Sequence, residues 1–436
     1  MDQIEKIYKR FLKIGVISTD TRKVIPKSIF FAIKSHNFDG NKFARKALTN
    51  GASFAVISDK KLKKGSKYIV VKNTNKTLQD LAYFHRSKLK IPIIAVCGSN
   101  GKTTTKELIK LVLSEKYKVY ATEGNLNNHI GVPLSILKIK KKDQVAVIEI
   151  GASHKGETKK LCEIVNPQLG IITNMGEDHL GEYGGISEVI KANNELYQYL
   201  YKNKGLVFVN MDDKTLMNLS KKITRITYGK NIKADILLSP TTLSPHIKIT
   251  FESSIIQNGK LFGEHNFENI ATAVCIGKYF GIPAKKIKGA IKNFQPIKGR
   301  SEIQKLKKIK SKVIIDSYNA NPTSMRKVID SFKNFPQKRK IICLGDMAEL
   351  GKYNTKKHLE IFNLARKSNF VLNIFIGSNF YQIKKNNATK NFIFLKTTDD
   401  FIKFIKGNKQ AFSKSLILLK ASRSMSLEKV ISYLSA

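Results

Sequence analysis

The chain has 436 residues, 42% of them hydrophobic, and a formal net charge of +45. That apolar share supports packed cores over a disordered chain, and the length asks for two or three of them. No apolar run approaches the ~20 residues that cross a bilayer. The opening Met1-Asp2-Gln3-Ile4-Glu5 lacks a basic-then-apolar signal layout, and four scattered cysteines without metal-ligand spacing read as reduced thiols, so a cytoplasmic protein is expected.

The charge raises the question of a polyanion partner. Lysine supplies 68 of the 78 basic residues and arginine ten. A nucleic-acid surface favours arginine for its bidentate contacts and interleaves aromatics. Lysine, asparagine and isoleucine share AT-rich codons, and the densest runs, Lys60 to Lys64 and Lys138 to Lys142, read as solvated connections. Neither nucleic acid nor membrane insertion is expected, although the field should draw anionic nucleotides and substrates to the surface.

In chain order, residues 1–88 hold strand-like runs at Ile29 to Ile33, Ala55 to Ile57 and Tyr68 to Val71, closed by a helix through Leu78 to Leu89. Residues 89–296 alternate strands (Ile93 to Val96, Val145 to Ile150, Leu169 to Thr173, Leu206 to Asn210) with helices, with an antiparallel portion near Ile236 and Ile247 to Phe251. Continuous apolar strands split by helices predict a parallel sheet covered on both faces. Residues 297–436 restart the alternation at Val313, Ile341, Ile374, Phe392 and Leu416, predicting a second doubly wound unit. The expected fold is therefore α/β in three domains: a small N-terminal α/β domain, a central parallel-sheet P-loop domain and a C-terminal Rossmann-like domain.

The most informative stretch is Cys97-Gly98-Ser99-Asn100-Gly101-Lys102-Thr103-Thr104-Thr105. It follows an apolar strand and precedes the amphipathic pattern Leu108, Ile109, Val112, Leu113. Strand, glycine loop and helix start form a phosphate cradle, with Lys102 reaching the β- and γ-phosphates and the Thr103 hydroxyl available to Mg²⁺. The loop is one residue tighter than G-x-x-x-x-G-K-[ST], because Val96 stands where that spacing needs glycine. Glu149 and His179 come directly off strand ends and can reach a metal beside the phosphates. Gly263 to Asn269 opens a small-residue helix whose polar start can meet a base or phosphate, or simply cap the helix through Asn266. Asp316-Ser317-Tyr318-Asn319-Ala320-Asn321-Pro322 follows a third strand end, denser in polar groups than a turn requires.

These motifs identify the chain as similar to the Mur ligase family, which joins amino acids or a dipeptide to the peptidoglycan precursor using ATP. The match runs over essentially the whole chain. Gly98 to Thr104 is the family-wide loop, and Asp316 to Pro322 followed by Ser324-Met325 resembles the dipeptide-adding branch. Leu344-Gly-Asp-Met-Ala-Glu-Leu-Gly351, Lys420 to Glu428 and Gly124 to Asn128 agree, and Thr19-Asp20-Thr21-Arg22 with Pro26 to Ala32 resembles the UDP-holding segment. The resemblance implies a UDP-substrate domain over 1–88, an ATPase domain over 89–296 and a dipeptide-receiving domain over 297–436. It implies ATP, Mg²⁺, UDP-muramoyl tripeptide and D-Ala-D-Ala as ligands of a monomer. By position, Gly98, Ser99, Asn100, Gly101, Lys102, Thr103 and Thr104 serve the phosphates, and Thr103, Glu149 and His179 the metal. Asn269 and Arg300 contact ATP, Asp316 lies near the ribose, and Thr19, Asp20, Thr21 and Arg22 hold UDP. Asn319, Asn321 and Arg423 line the dipeptide side. The competing readings are a folylpolyglutamate synthase type of ligase and a basic polyanion-binding NTPase.

The chain departs from the family pattern at Cys97, usually Thr or Gly, at Ala421, usually Gly, and after His179-Leu180, where Gly181-Glu182 replaces Glu. The largest departure is Asn193, at the position of a lysine that related enzymes carbamylate. Lys191 lies ~200° around the helix and points elsewhere. Asn193 falls on the inward stripe Val189, Asn193, Leu196, Leu200, and its amide is expected to face the metal side.

Overall fold

The computed structural model describes residues 2–386, 389 and 391–435. Its first sheet has four parallel strands in the order Ile17–Ser18, Ile29–Phe31, Phe54–Ile57, Tyr68–Val70. The helix Thr74–Ser87 follows; its N-cap Asn73 accepts from the Lys76 N–H. That helix packs against the helices Gly131–Leu137 and Glu157–Val165. One contiguous apolar cluster therefore joins Ile7, Phe31 and Leu81 to Ile93, Ile148 and Val165. That cluster draws residues from both sides of residue 88.

The central sheet has seven parallel strands, ordered Ile236–Leu237, Thr224–Gly229, Leu206–Asn210, Leu169–Ile172, Ile93–Cys97, Val145–Glu149, Val119–Ala121. Strand periodicity divides its residues between two cores. Ile93, Ala95 and Cys97 enter the cluster just described, while Ile94 and Val96 enter another with Leu108, Phe267 and Ile270. A three-stranded antiparallel sheet, Ser239–Thr242, Ile247–Phe251 and Ser254–Asn258, adds Ile247, Ile249 and Ile256 to that second core.

The C-terminal sheet has six strands, ordered Glu302–Leu306, Ser311–Asp316, Leu416–Lys420, Lys340–Gly345, Leu372–Ile376, Phe392–Leu395. Its first pair is antiparallel and the rest parallel. The C-terminal unit is the expected Rossmann-like sheet, with an antiparallel strand added at one edge. Glu302–Leu306 buries only Leu306 of its five residues, so it lacks the apolar run that marks a covered strand. No helix among the described residues is long and apolar enough to cross a membrane, and all four cysteines are buried and free.

Candidate active site

The carboxyl ends of strands from the central and C-terminal sheets meet at a cleft of about 540 Å³. Its floor is the loop after Ile93–Cys97. Gly98 sits at φ +116°, and a Cβ there would lie 2.3 Å from Thr173 Oγ1. Gly101 (φ +83°) caps the helix Lys102–Leu113 and lies so close to Asn269 that a Cβ would meet its Oδ1 at 2.5 Å. Both positions need glycine to let the backbone curl. Lys102 folds back over the loop, its Nζ donating to Gly98 O at 2.5 Å and Ser99 O at 3.2 Å. The geometry leaves an ammonium and a helix N-terminus beside open space, a site for anionic oxygens.

Glu149 ends the neighbouring strand and is 2% exposed. Its Oε1 accepts from the Thr103 hydroxyl (3.2 Å) and the Asn127 amide (2.8 Å). Its Oε2 is buried without a hydrogen-bond donor. An orphaned carboxylate oxygen beside a threonine hydroxyl is a donor set that suits a hard divalent ion such as Mg²⁺. His179, at φ +48°, lines the same cleft. Its Nδ1 is 3.0 Å from Glu349 Oε2 and 3.7 Å from Glu182 Oε2, close enough for the three to share one cation. Burial opposes the charged imidazole, but the Glu349 carboxylate outweighs it and holds the His179 pKa above its ordinary value.

The opposite wall combines two elements. Asn266 and Asn269 come from the helix Glu264–Tyr279, and Asn269 Oδ1 accepts from the Thr105 hydroxyl at 3.0 Å. His265 is pushed down to about 4 by burial, so its imidazole is neutral. Asp316 accepts from Lys420 Nζ at 2.7 Å and from the Ser301 N–H at 3.1 Å. Burial raises its pKa, yet the Lys420 ammonium wins and lowers it. The Arg300 guanidinium lies 3.9 Å over the Tyr318 ring, with Arg423 5.0 Å from the same ring.

Of the residues expected from the sequence, Ser99 through Thr104, Glu149, His179, Asn269, Arg300, Asp316 and Asn319 all line this one cleft. Gly98 lies beneath it. Arg423 is exposed, one ring away on Tyr318. Thr19, Asp20, Thr21 and Arg22 lie outside it, following the first-sheet strand Ile17–Ser18, with Asp20 and Arg22 paired at 2.8 Å. Asn321 is engaged within the protein: its Oδ1 caps the helix Pro322–Lys333, and its Nδ2 donates to Asn100 Oδ1 at 2.8 Å. One expectation is corrected. Asn193 is on the inward stripe, but its amide is consumed beneath the loop. Its Oδ1 accepts from the Gly98 N–H at 3.1 Å and the Cys97 thiol at 3.2 Å, and its Nδ2 donates to Val189 O. Lys191 is exposed and paired with Glu188.

Sequence reasoning did not assign roles to Asn127, His265, Glu349 or Lys420. Asn127 stands inside a polar run that follows a strand, and that was the available signal; Glu349 follows the strand Lys340–Gly345 and reaches the site through His179.

The family model described as Mur ligase family, catalytic domain, matches residues 13–96, the Mur ligase middle domain 96–277, and the Mur ligase, glutamate ligase domain 299–423. The UDP-N-acetylmuramoyl-tripeptide–D-alanyl-D-alanine ligase of Haemophilus influenzae is 32% identical, over 96% of this chain and 93% of its own. The Bacillus subtilis protein of the same name is 32% identical over 95% and 92%. A crystal structure of MurF from Acinetobacter baumannii superposes with a TM-score of 0.86 at 27% identity, covering 97% of this chain and 93% of that one. MurF ligase from Thermotoga maritima, solved in complex with ADP, shares the fold with a TM-score of 0.84 at 24% identity, over 97% and 98%. With its phosphate loop, buried carboxylate and facing C-terminal wall on one cleft, and relatives matched along nearly its full length, this chain belongs to the Mur ligase family.

Proposed function

We propose that the chain is an ATP-dependent ligase that adds D-alanyl-D-alanine to UDP-N-acetylmuramoyl-tripeptide in peptidoglycan precursor synthesis. The observation that carries this reading is a glycine loop with Lys102 and the buried carboxylate of Glu149 opening onto the same cleft as the Asp316 to Asn319 wall. Full-length similarity to ligases of that name supports the substrate assignment.

A carboxylate is a poor electrophile. Transfer of the γ-phosphoryl group onto the tripeptide's terminal carboxylate makes an acyl phosphate with a good leaving group. The amine of the dipeptide then attacks, and phosphate departs from the tetrahedral intermediate. Lys102 and the loop amides hold the β- and γ-phosphates and meet charge as it spreads over the transferring oxygens. Thr103, Glu149 and His179 would hold Mg²⁺, which when bound neutralises the phosphate oxygens. Asn269, His265 and Asn266 offer neutral polar groups on the nucleotide wall, and Asp316 accepts from a ribose hydroxyl. Asn319 and Tyr318 face the incoming amine. Thr19 to Arg22, at the end of the first sheet, hold the UDP end. Three substrates must meet away from water, so closure of the C-terminal wall protects the acyl phosphate.

On this reading the protein acts as a monomer in the cytoplasm, where ATP and the nucleotide-linked precursor are available. Phosphate release from ATP tests the reading. It is expected only when both UDP-muramoyl tripeptide and D-Ala-D-Ala are present. Release driven by folate and glutamate, or by DNA or RNA, would overturn it.

A further inference from the structure

Lys106 is fully buried, one turn into the helix that starts at Lys102. A buried ammonium is costly unless its surroundings compensate it. Its Nζ lies 2.9 Å from Glu107 Oε1, donates to Thr122 O, and stands 3.9 Å from Glu149 Oε2. The Thr122 hydroxyl in turn accepts the Glu149 N–H at 3.0 Å. Thr103 and Asn127 both donate to Oε1, so Oε2 has the Lys106 ammonium beside it and no hydrogen bond.

We infer that Lys106 is a positioning residue that neutralises Glu149 while the cleft is empty, so that the carboxylate takes a divalent cation only together with a triphosphate. A bare cation entering next to Glu149 meets the Lys106 charge behind the carboxylate and the Lys102 charge on the loop. Charges at this range interact strongly even at an effective dielectric of about 20. A triphosphate brings several negative charges, which reverse the balance. The site then loads the metal–nucleotide complex rather than metal alone. This inference rests on the reading of the cleft as a nucleotide site.

The test is Mn²⁺ binding to the full chain, followed by the electron paramagnetic resonance signal of the free ion. It is measured without nucleotide and with the β,γ-imido analogue of ATP. Wild-type protein is expected to bind Mn²⁺ at least about tenfold more tightly with the analogue. Lys106→Met, similar in length but uncharged, is expected to tighten nucleotide-free Mn²⁺ binding at least about tenfold, and Glu149→Gln in that background to remove the gain. Lys106→Gln gives the same comparison if the methionine variant does not fold, and the wild-type measurement needs no variant. The inference is overturned if nucleotide-free wild type binds Mn²⁺ as tightly as the analogue complex does, at a site lost in Glu149→Gln. It is equally overturned if folded Lys106 variants bind Mn²⁺ as wild type does. Failure of the analogue to bind at all, with or without Mn²⁺, would instead sink the nucleotide reading.

Discussion

Asn193 shows how a single buried amide can be spent wholly on holding a loop. Its carbonyl oxygen satisfies the Gly98 N–H, a buried donor at the base of the phosphate loop. Asn193→Ala leaves that donor unpaired, at a cost of about 1–3 kcal/mol in urea denaturation, and raises KM for ATP because the loop loses its anchor. A lysine at 193 has no acceptor to offer, whereas its carbamate would. Asn193→Lys is therefore expected to show bicarbonate-dependent activity and the wild type none, read by the ligation rate in CO₂-free and bicarbonate buffers. On the open side of the loop, Lys102→Met removes the ammonium proposed to meet the transferring phosphoryl group. A fall in kcat of about 10²–10³-fold is expected, with the melting temperature little changed.

Among the elements, the strand–loop–helix around Gly98 was legible because three independent patterns coincide there: a continuous apolar run, a glycine–lysine–threonine turn and a helical stripe. Gly98→Ala places a methyl group against Thr173 Oγ1 and N and strains a φ of +116°. Loss of nucleotide binding by calorimetry is the expected result. Less legible were the strands Val119–Ala121, Thr224–Gly229 and Glu302–Leu306, which are short or mixed in polarity; the first two pair with strands separated from them by a helix, and the third is a polar edge strand of a hairpin. The tie between Asn321 and Asn100 could not be read from a motif, since it joins residues of two sheets. Buried histidines pin other elements together. His85 bonds to Tyr8 Oη and Ile139 O, and His358 accepts the Met347 N–H and donates to Asn354 O. Burial holds His85, His265 and His358 below the ordinary value, to about 4 for His265. The unfolded chain thus binds more protons below pH ~6.5, and stability falls as pH drops from there toward the folded values. His179, raised by Glu349, acts in the opposite sense, one group against three. Thermal midpoints should fall between pH 7 and pH 5, and a flat profile would contradict this.

At the scale of the whole molecule, the central and C-terminal units are clasped around Glu177. Its carboxylate meets Lys357 at 2.6 Å and also Arg326, and its N–H donates to the Thr323 hydroxyl at 3.0 Å. Tyr353 Oη adds a bond to Gly184 O at 2.8 Å. Because Arg326 is partly exposed, Glu177→Gln is expected to weaken the clasp by only about 1 kcal/mol. That shifts the open–closed balance several-fold, raises KM for D-Ala-D-Ala and increases the radius of gyration in solution scattering. The three-part α/β organisation was legible from the alternation of strands and helices. The shared core beneath the first two sheets was not, because it depends on how the helix Thr74–Ser87 docks.

In the proposed reaction, the loop at Gly98 to Thr104 presents ATP so that its terminal phosphoryl group passes to a peptide carboxylate. The most direct measurement labels both oxygens of the tripeptide's terminal carboxylate with ¹⁸O and reads released phosphate by mass spectrometry after turnover with D-Ala-D-Ala. Transfer through an acyl phosphate leaves one labelled oxygen in each phosphate released. Product formed with unlabelled phosphate would contradict the account.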